Sequence, residues 1–179
     1  FPRSVRYCVD ELDAALHHAT EGVAACRQLA YTQPLATGLV TLARIRQAQG
    51  DQSGALEAFD QAEAVMPGPG MVDLLNPVPV QRAQLLMANG DLAGATRWTR
   101  QRRLSGDDRP DYPHERTYLL LARVLLAQQH PDQALGLLGR LYDLAVVQER
   151  TGSVIEIQVL RALAFAAASR GVECLLTMP

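Results

Sequence analysis

Apolar positions between residues 34 and 66 recur three and four apart: Leu39, Leu42, Ala43 and Ile45, then Ala55, Leu56, Phe59 and Ala62. Such spacing places each set on one face of an α-helix, because a turn takes about 3.6 residues. Between the two runs stands Gly50-Asp51. Glycine adopts the left-handed conformation at little cost and so stops the first helix. Asp51 then starts the second, its carboxylate accepting unpaired backbone N–H groups at the positive end of the helix dipole. The predicted unit is helix, tight turn, helix.

The unit repeats. Leu42-Ala43-Arg44-Ile45-Arg46-Gln47-Ala48-Gln49-Gly50-Asp51 is echoed by Arg82-Ala83-Gln84-Leu85-Leu86-Met87-Ala88-Asn89-Gly90-Asp91 and again by Leu121-Ala122-Arg123-Val124-Leu125-Leu126-Ala127-Gln128-Gln129. A fourth, weaker copy runs from Ala164 to Gly171, and a half-copy starts at Asp10 with Ala15-Leu16. The turn markers Asp10, Gly50, Gly90, Gln129 and Gly171 lie 40, 40, 39 and 42 residues apart. In the third unit Pro131-Asp132 opens the second helix, proline being suited to the first helical position. Ala43, Ala83 and Ala122, with Ala55, Ala95 and Ala134, are small enough to let paired helices approach closely; a large side chain there would overpack the hairpin.

Helices are predicted over 10–31, 34–49, 52–66, 78–89, 92–104, 114–129, 132–149 and 153–170. Breakers at Pro67-Gly68-Pro69-Gly70, from Ser105 to Pro113, and at Thr151-Gly152 separate them. The repeat stays in phase across all three, which predicts one domain over 1–179. The expected fold is all-α: a tetratricopeptide-like superhelix of stacked antiparallel hairpins, with about four repeats of about 40 residues. The half-copy has no partner upstream of Asp10, and the end from Val172 to Met178 is apolar rather than capping. A fragment of a longer array is therefore expected, with self-association through apolar ends.

Composition agrees. Aromatics are 5% of the chain, and the helix formers alanine and leucine carry the apolar count. Net charge is −2, from 17 basic and 19 acidic residues, which exerts no general pull on nucleic acid or anionic lipid. Every basic residue is arginine. Without lysine there is neither a Walker A phosphate loop nor Schiff-base chemistry. None of the serines, Ser4, Ser53, Ser105, Ser153 and Ser169, sits in a nucleophile elbow. Catalysis is not expected, and neither is a cofactor.

Cys8, Cys26 and Cys174 form no disulfide framework and are expected to be buried in a reducing cytoplasm. No membrane span or signal peptide is expected. His17-His18 with Glu21 lacks a third ligand at metal spacing and is expected to be solvated. Arg97-Trp98-Thr99-Arg100-Gln101-Arg102-Arg103 interleaves an aromatic with arginine, as single-strand binders do. On a helix, however, these residues spread over several faces, and Asp107 and Asp108 offset them. A solvated face with Trp98 in the core is the expectation.

The candidate site lies on the first helices, which would line a concave groove. Arg44, Gln84 and Arg123 follow the small alanine or lie beside it; Thr37, Arg116 and Gln158 come a turn or so earlier, with Arg161 nearby. Guanidinium forks there could hold a carboxylate, phosphate or acidic peptide bidentately. The plainer reading of the same residues is helical arginine that keeps the surface soluble.

Leu42-Ala43, Gly50-Asp51, Ala55, Phe59, Ala62 and Pro67 resemble the tetratricopeptide motif. Thr99 and Arg102 depart from it, standing where an aromatic and an alanine are preferred, which predicts looser packing of that helix. The stretch from Tyr118 through Pro131-Asp132-Gln133-Ala134-Leu135 to the run Arg150–Leu160 is similar to the helical region of the large ATP-binding LuxR-type regulators, the MalT-like group. That resemblance implies an ATPase before the array and a helix-turn-helix after it. It implies that the array receives a small-molecule inducer or a regulatory protein or peptide, and that DNA is bound only through a domain outside this chain. A generic tetratricopeptide scaffold for protein complexes is the alternative.

Overall fold

The computed structural model describes the backbone of residues 3–65 and 77–176 and the side chains of 11–65 and 77–169. Within these residues the chain forms α1 (Arg3–Gln28), α2 (Thr32–Ala48), α3 (Gln52–Val65), α4 (Val78–Ala88), α5 (Leu92–Gln101), α6 (Glu115–Ala127), α7 (Pro131–Val147) and α8 (Thr151–Leu176), and no strand. The all-α, tetratricopeptide-like expectation holds. The Pro67–Gly70 breaker falls outside the described residues.

The helix ends share one device. At Ala30, Gly50, Gly90, Arg103, Gln129 and Glu149 the backbone turns left-handed, with φ between 53° and 82°. The following N–H reaches back five residues: Asp51 to the Arg46 carbonyl at 2.9 Å, Asp91 to Leu86 at 2.9 Å, His130 to Leu125 at 2.9 Å and Arg150 to Ala145 at 3.0 Å. This is the Schellman closure, which satisfies helix carbonyls that would otherwise be orphaned. Glycine supplies the positive φ at 50 and 90; glutamine supplies it at 129, where the same bonds outweigh the strain. Asp51 and Asp91 cap as expected, accepting from the N–H of Gly54 at 2.9 Å and Gly94 at 2.8 Å. A Cβ on Gly54 would lie 2.1 Å from the Asp51 carboxylate, and one on Gly94 2.4 Å from that of Asp91. Glycine three residues after the cap therefore belongs to the turn.

The two outer markers do not turn. Asp10 lies inside α1 and Gly171 inside α8. Neither position joins a glycine to a capping aspartate, and one interior glycine costs a helix only about 1 kcal/mol.

The chain divides into two compact units, 1–85 and 86–179. In the first, α2 packs between α1 and α3, and Leu39, Leu42, Ala43, Ala55, Ala58, Phe59 and Ala62 share one core. Gly38 lets α1 come close, since a Cβ there would stand 3.0 Å from Val23 Cγ2. In the second, α7 packs between α6 and α8, with Leu121, Ala122, Ala134, Leu137, Leu138, Leu141, Ile157 and Leu160 in the core. The small residues Ala43, Ala55, Ala83, Ala95, Ala122 and Ala134 are all fully buried. Burying each large aliphatic side chain contributes about 1.5–3 kcal/mol. Thr99 is buried despite its departure from the motif, and its hydroxyl is satisfied by the Thr96 carbonyl at 2.8 Å. Cys26 is half-buried rather than buried; the side chains of Cys8 and Cys174 lie outside the described residues.

Candidate functional site

The residues singled out on the first helices fall into two groups, one in each unit. In the first, Thr37 and Arg44 stand two turns apart on α2, both exposed. The Arg44 guanidinium points its Nε and Nη2 at a single acceptor, Gln81 Oε1 on α4, at 3.2 and 2.8 Å. Gln84 is half-buried three residues further along α4. The Thr37 hydroxyl donates to the Gln33 carbonyl at 3.2 Å.

In the second group one carboxylate collects two arginines. Arg123 Nη2 lies 2.8 Å from Glu156 Oε1, and Arg116 Nη1 lies 3.9 Å from Glu156 Oε2. Gln158 is exposed two residues beyond Glu156. Arg161 is half-buried, with its guanidinium carbon 5.1 Å above the Tyr142 ring and its buried Nε without a hydrogen-bond partner.

Both groups use one arrangement: an arginine beside the small alanine of one first helix reaches an acceptor on the next first helix, 37 residues on for Gln81 and 33 for Glu156. Sequence reasoning missed these two acceptors. No sequence signal marks them, since the two offsets differ and the two acceptors stand at different places in their helices. The electrostatic result is lopsided. Arg44 is held by a neutral amide and keeps its full charge, while Arg116 and Arg123 share one anion. The first group is left with one net positive charge and the second, with Arg161 included, with two, on partly exposed surfaces suited to an anion that can accept several N–H donors.

Other arginines hold the fold. Arg150, in the turn before α8, bonds through Nη1 to the Glu115 carboxylate at the start of α6 and to Ser153 Oγ at 2.9 Å. Ser153 Oγ in turn donates to Glu115 Oε1 at 2.7 Å, and the guanidinium lies 4.7 Å above the Tyr112 ring. Arg140 donates to the carbonyls of Asp108, at 3.1 Å, and Gly106, so tying down the loop before α6. Tyr118 sits at the edge of that region. Burial, and then the charges of Asp108 and Asp111, raise its phenol above the ordinary value of 10.0.

The remaining motifs do not assemble into sites. His17 and His18 flank Glu21 on an exposed surface at 3.5 and 3.7 Å. Among the described residues no group of three or more potential ligands could hold a metal. Arg97, Arg100, Arg102 and Arg103 are exposed, but Trp98 is turned inward beneath the Arg102 guanidinium, 5.0 Å away, and offers no open face to a base. Thr151–Ser169 of α8 is long and apolar enough to cross a membrane by length and composition, contrary to expectation. That stretch carries Glu156 and Arg161 and packs Ile157, Leu160 and Ala164 inward.

Comparison with curated proteins and with solved structures gives no significant match. The family model described as the MalT-like TPR region matches residues 6–175. Paired helices, buried alanines and left-handed turns are the features such a repeat requires, and a tetratricopeptide-type repeat is an interaction fold rather than a catalytic one. The match spans nearly the whole chain, and the protein belongs to the MalT-like TPR region family.

Proposed function

We propose that this chain is the sensing segment of a LuxR-type, ATP-binding transcription regulator of the cytoplasm. In this reading it binds an anionic small-molecule inducer, or an acidic segment of a regulatory protein, and passes the event to ATPase and helix-turn-helix domains outside these residues. The family match carries the regulatory part of the reading. The excess positive charge at Arg44 and at the Arg116–Arg123–Glu156 cluster supports the anionic part. Thr37 and Gln84 would supply further polar contacts beside Arg44, and Gln158 and Arg161 beside the Arg116–Arg123–Glu156 cluster. The segment itself would bind and transmit without catalysing a reaction.

The test is a thermal-shift screen of anionic metabolites, namely sugar phosphates, dicarboxylates and nucleotides, against the wild type and Arg44→Ala/Arg123→Ala. Both arginines are at least a third exposed or pair with partly exposed partners, so the variant should melt within a few degrees of the wild type. A ligand that stabilises the wild type should lose about tenfold or more in affinity for the variant, one charge-assisted bond being worth about 1.5–3 kcal/mol. A ligand bound equally by both would remove these arginines from the site.

A further inference from the structure

Ser105 stands directly behind the arginine run that closes α5. Arg100, Arg102 and Arg103 are exposed, and none makes an ion pair or a side-chain hydrogen bond among the described residues; Arg102 only stacks over Trp98. The helix dipole accounts for Arg100 in the last turn, and its pull fades beyond that turn. Among the serines and threonines of the whole sequence, Ser105 alone has arginine both two and three positions before it. It is exposed and lies outside any helix. Its hydroxyl accepts the Asp107 N–H at 3.2 Å and donates to no described group. Its neighbours are used by the fold: Leu104 packs against the core of α6 and α7, and the Ser105 N–H donates to Asp108 Oδ2 at 2.9 Å. The serine hydroxyl and the guanidinium pair before it are what the fold leaves over.

We propose that Ser105 is a phosphorylation site for an arginine-directed serine/threonine protein kinase that uses ATP. Kinases select substrates by charge pattern, and Arg102 and Arg103 present two unpaired cations to an acidic substrate groove. In the transfer a base of the kinase takes the Oγ proton and Oγ bonds to the γ-phosphorus. The bond from that phosphorus to the β–γ bridging oxygen breaks, and ADP leaves. The product carries about −1.5 to −2 charges at neutral pH. Arg97, Arg100, Arg102 and Arg103, set against Asp107 and Asp108, leave this stretch two net positive charges, which the phosphate roughly cancels. Arg102 and Arg103 can close on its oxygens through charge-assisted bonds, whereas the Asp108 carboxylate, held on the Ser105 N–H, is repelled. Arg140 holds the carbonyls of Gly106 and Asp108, so the change is delivered to the loop before α6. The proposal does not depend on Arg44, Arg116 or Arg123 binding an inducer.

The probe is the catalytic subunit of cAMP-dependent protein kinase with ATP, applied to the folded 179-residue chain, with the phosphate located by mass spectrometry. Incorporation at Ser105 is expected, absent from Ser105→Ala and slowed about tenfold or more in Arg102→Gln/Arg103→Gln. Arg97→Gln/Arg109→Gln removes two exposed cations that flank the pair and should leave the rate unchanged. All the altered side chains are exposed, so each variant's circular dichroism should match that of the wild type. A folded chain left unmodified at Ser105 overturns the proposal, whether or not a peptide of residues 97–110 is modified in parallel. Incorporation that ignores the Arg102/Arg103 pair overturns it too. So does a Ser105 that is modified only by an acid-directed casein kinase, which would be reading Asp107 and Asp108 instead.

Discussion

The Glu115–Arg150–Ser153 cluster gives a sharp test of how the turn before α8 is anchored. Its side chains are largely out of water, with 16% of Arg150 and 11% of Glu115 exposed. Replacing Glu115 by leucine removes the anion and leaves a guanidinium whose Nη2 is already buried without a partner. Breaking a buried pair from one side costs about 3–5 kcal/mol; with Tyr112 still beneath the guanidinium and some water access, about 2–4 kcal/mol is expected here. Ser153→Ala removes one donor to Glu115 and one acceptor for Arg150, which should cost about 1–2 kcal/mol. Glu115→Leu/Arg150→Met removes both charges together and should be less damaging than Glu115→Leu alone, with a coupling of about 1.5–3 kcal/mol. Urea unfolding followed by circular dichroism measures each corner of the cycle. If the single losses simply add, or if Glu115→Leu costs under about 0.5 kcal/mol, the cluster does not anchor the turn.

Further outcomes follow from the same geometry. Asp91→Ala should cost about 1 kcal/mol by stranding the Gly94 N–H, measurable in the same unfolding experiment. Ala122→Leu inserts three carbons at a fully buried position and should cost about 1–3 kcal/mol. Glu156→Gln withdraws the anion shared by Arg116 and Arg123 and should tighten any anionic ligand found in the screen; weaker binding would place the ligand elsewhere. Tyr118 titrates higher when folded, so its neutral form is favoured by the fold. Its contribution is complete below pH about 10 and is lost as pH rises through the folded value. Absorbance at about 295 nm should show a phenol that ionises above the ordinary value in the wild type and is missing from Tyr118→Phe. A single domain over 1–179 predicts one unfolding transition, whereas two would separate 1–85 from 86–179.

Much of the fold was legible because its constraints are local. Gly50-Asp51 and Gly90-Asp91 state a helix stop and a helix start in adjacent residues, and both occur where expected. Asp10 and Gly171 misled because each carries half of that signal, and half does not end a helix whose flanks are good helix formers. Gly54 and Gly94 were readable but unread: their recurrence three residues after each cap marked where a Cβ would meet the capping carboxylate.

The candidate site was harder to read for a reason of range. A helix face can be computed from one segment, so the exposure of Thr37, Arg44 and Gln158 followed from spacing alone. What an arginine bonds to depends on a residue one helix pair away. Gln81 and Glu156 stand at different places in their own helices, so no fixed offset announces them. The same long-range choice separates the arginines by role. Arg150 and Arg140 reach carboxylate and carbonyl oxygens that close turns and loops, and ligand binding there would compete with folding. Arg44, Arg116 and Arg123 have acceptors too few or too weak to neutralise them, and they remain on partly open helix faces. A charge that the fold holds in position without cancelling it is the kind of group that an incoming anion can complete, which is why those three arginines, among seventeen, are the ones to mutate first.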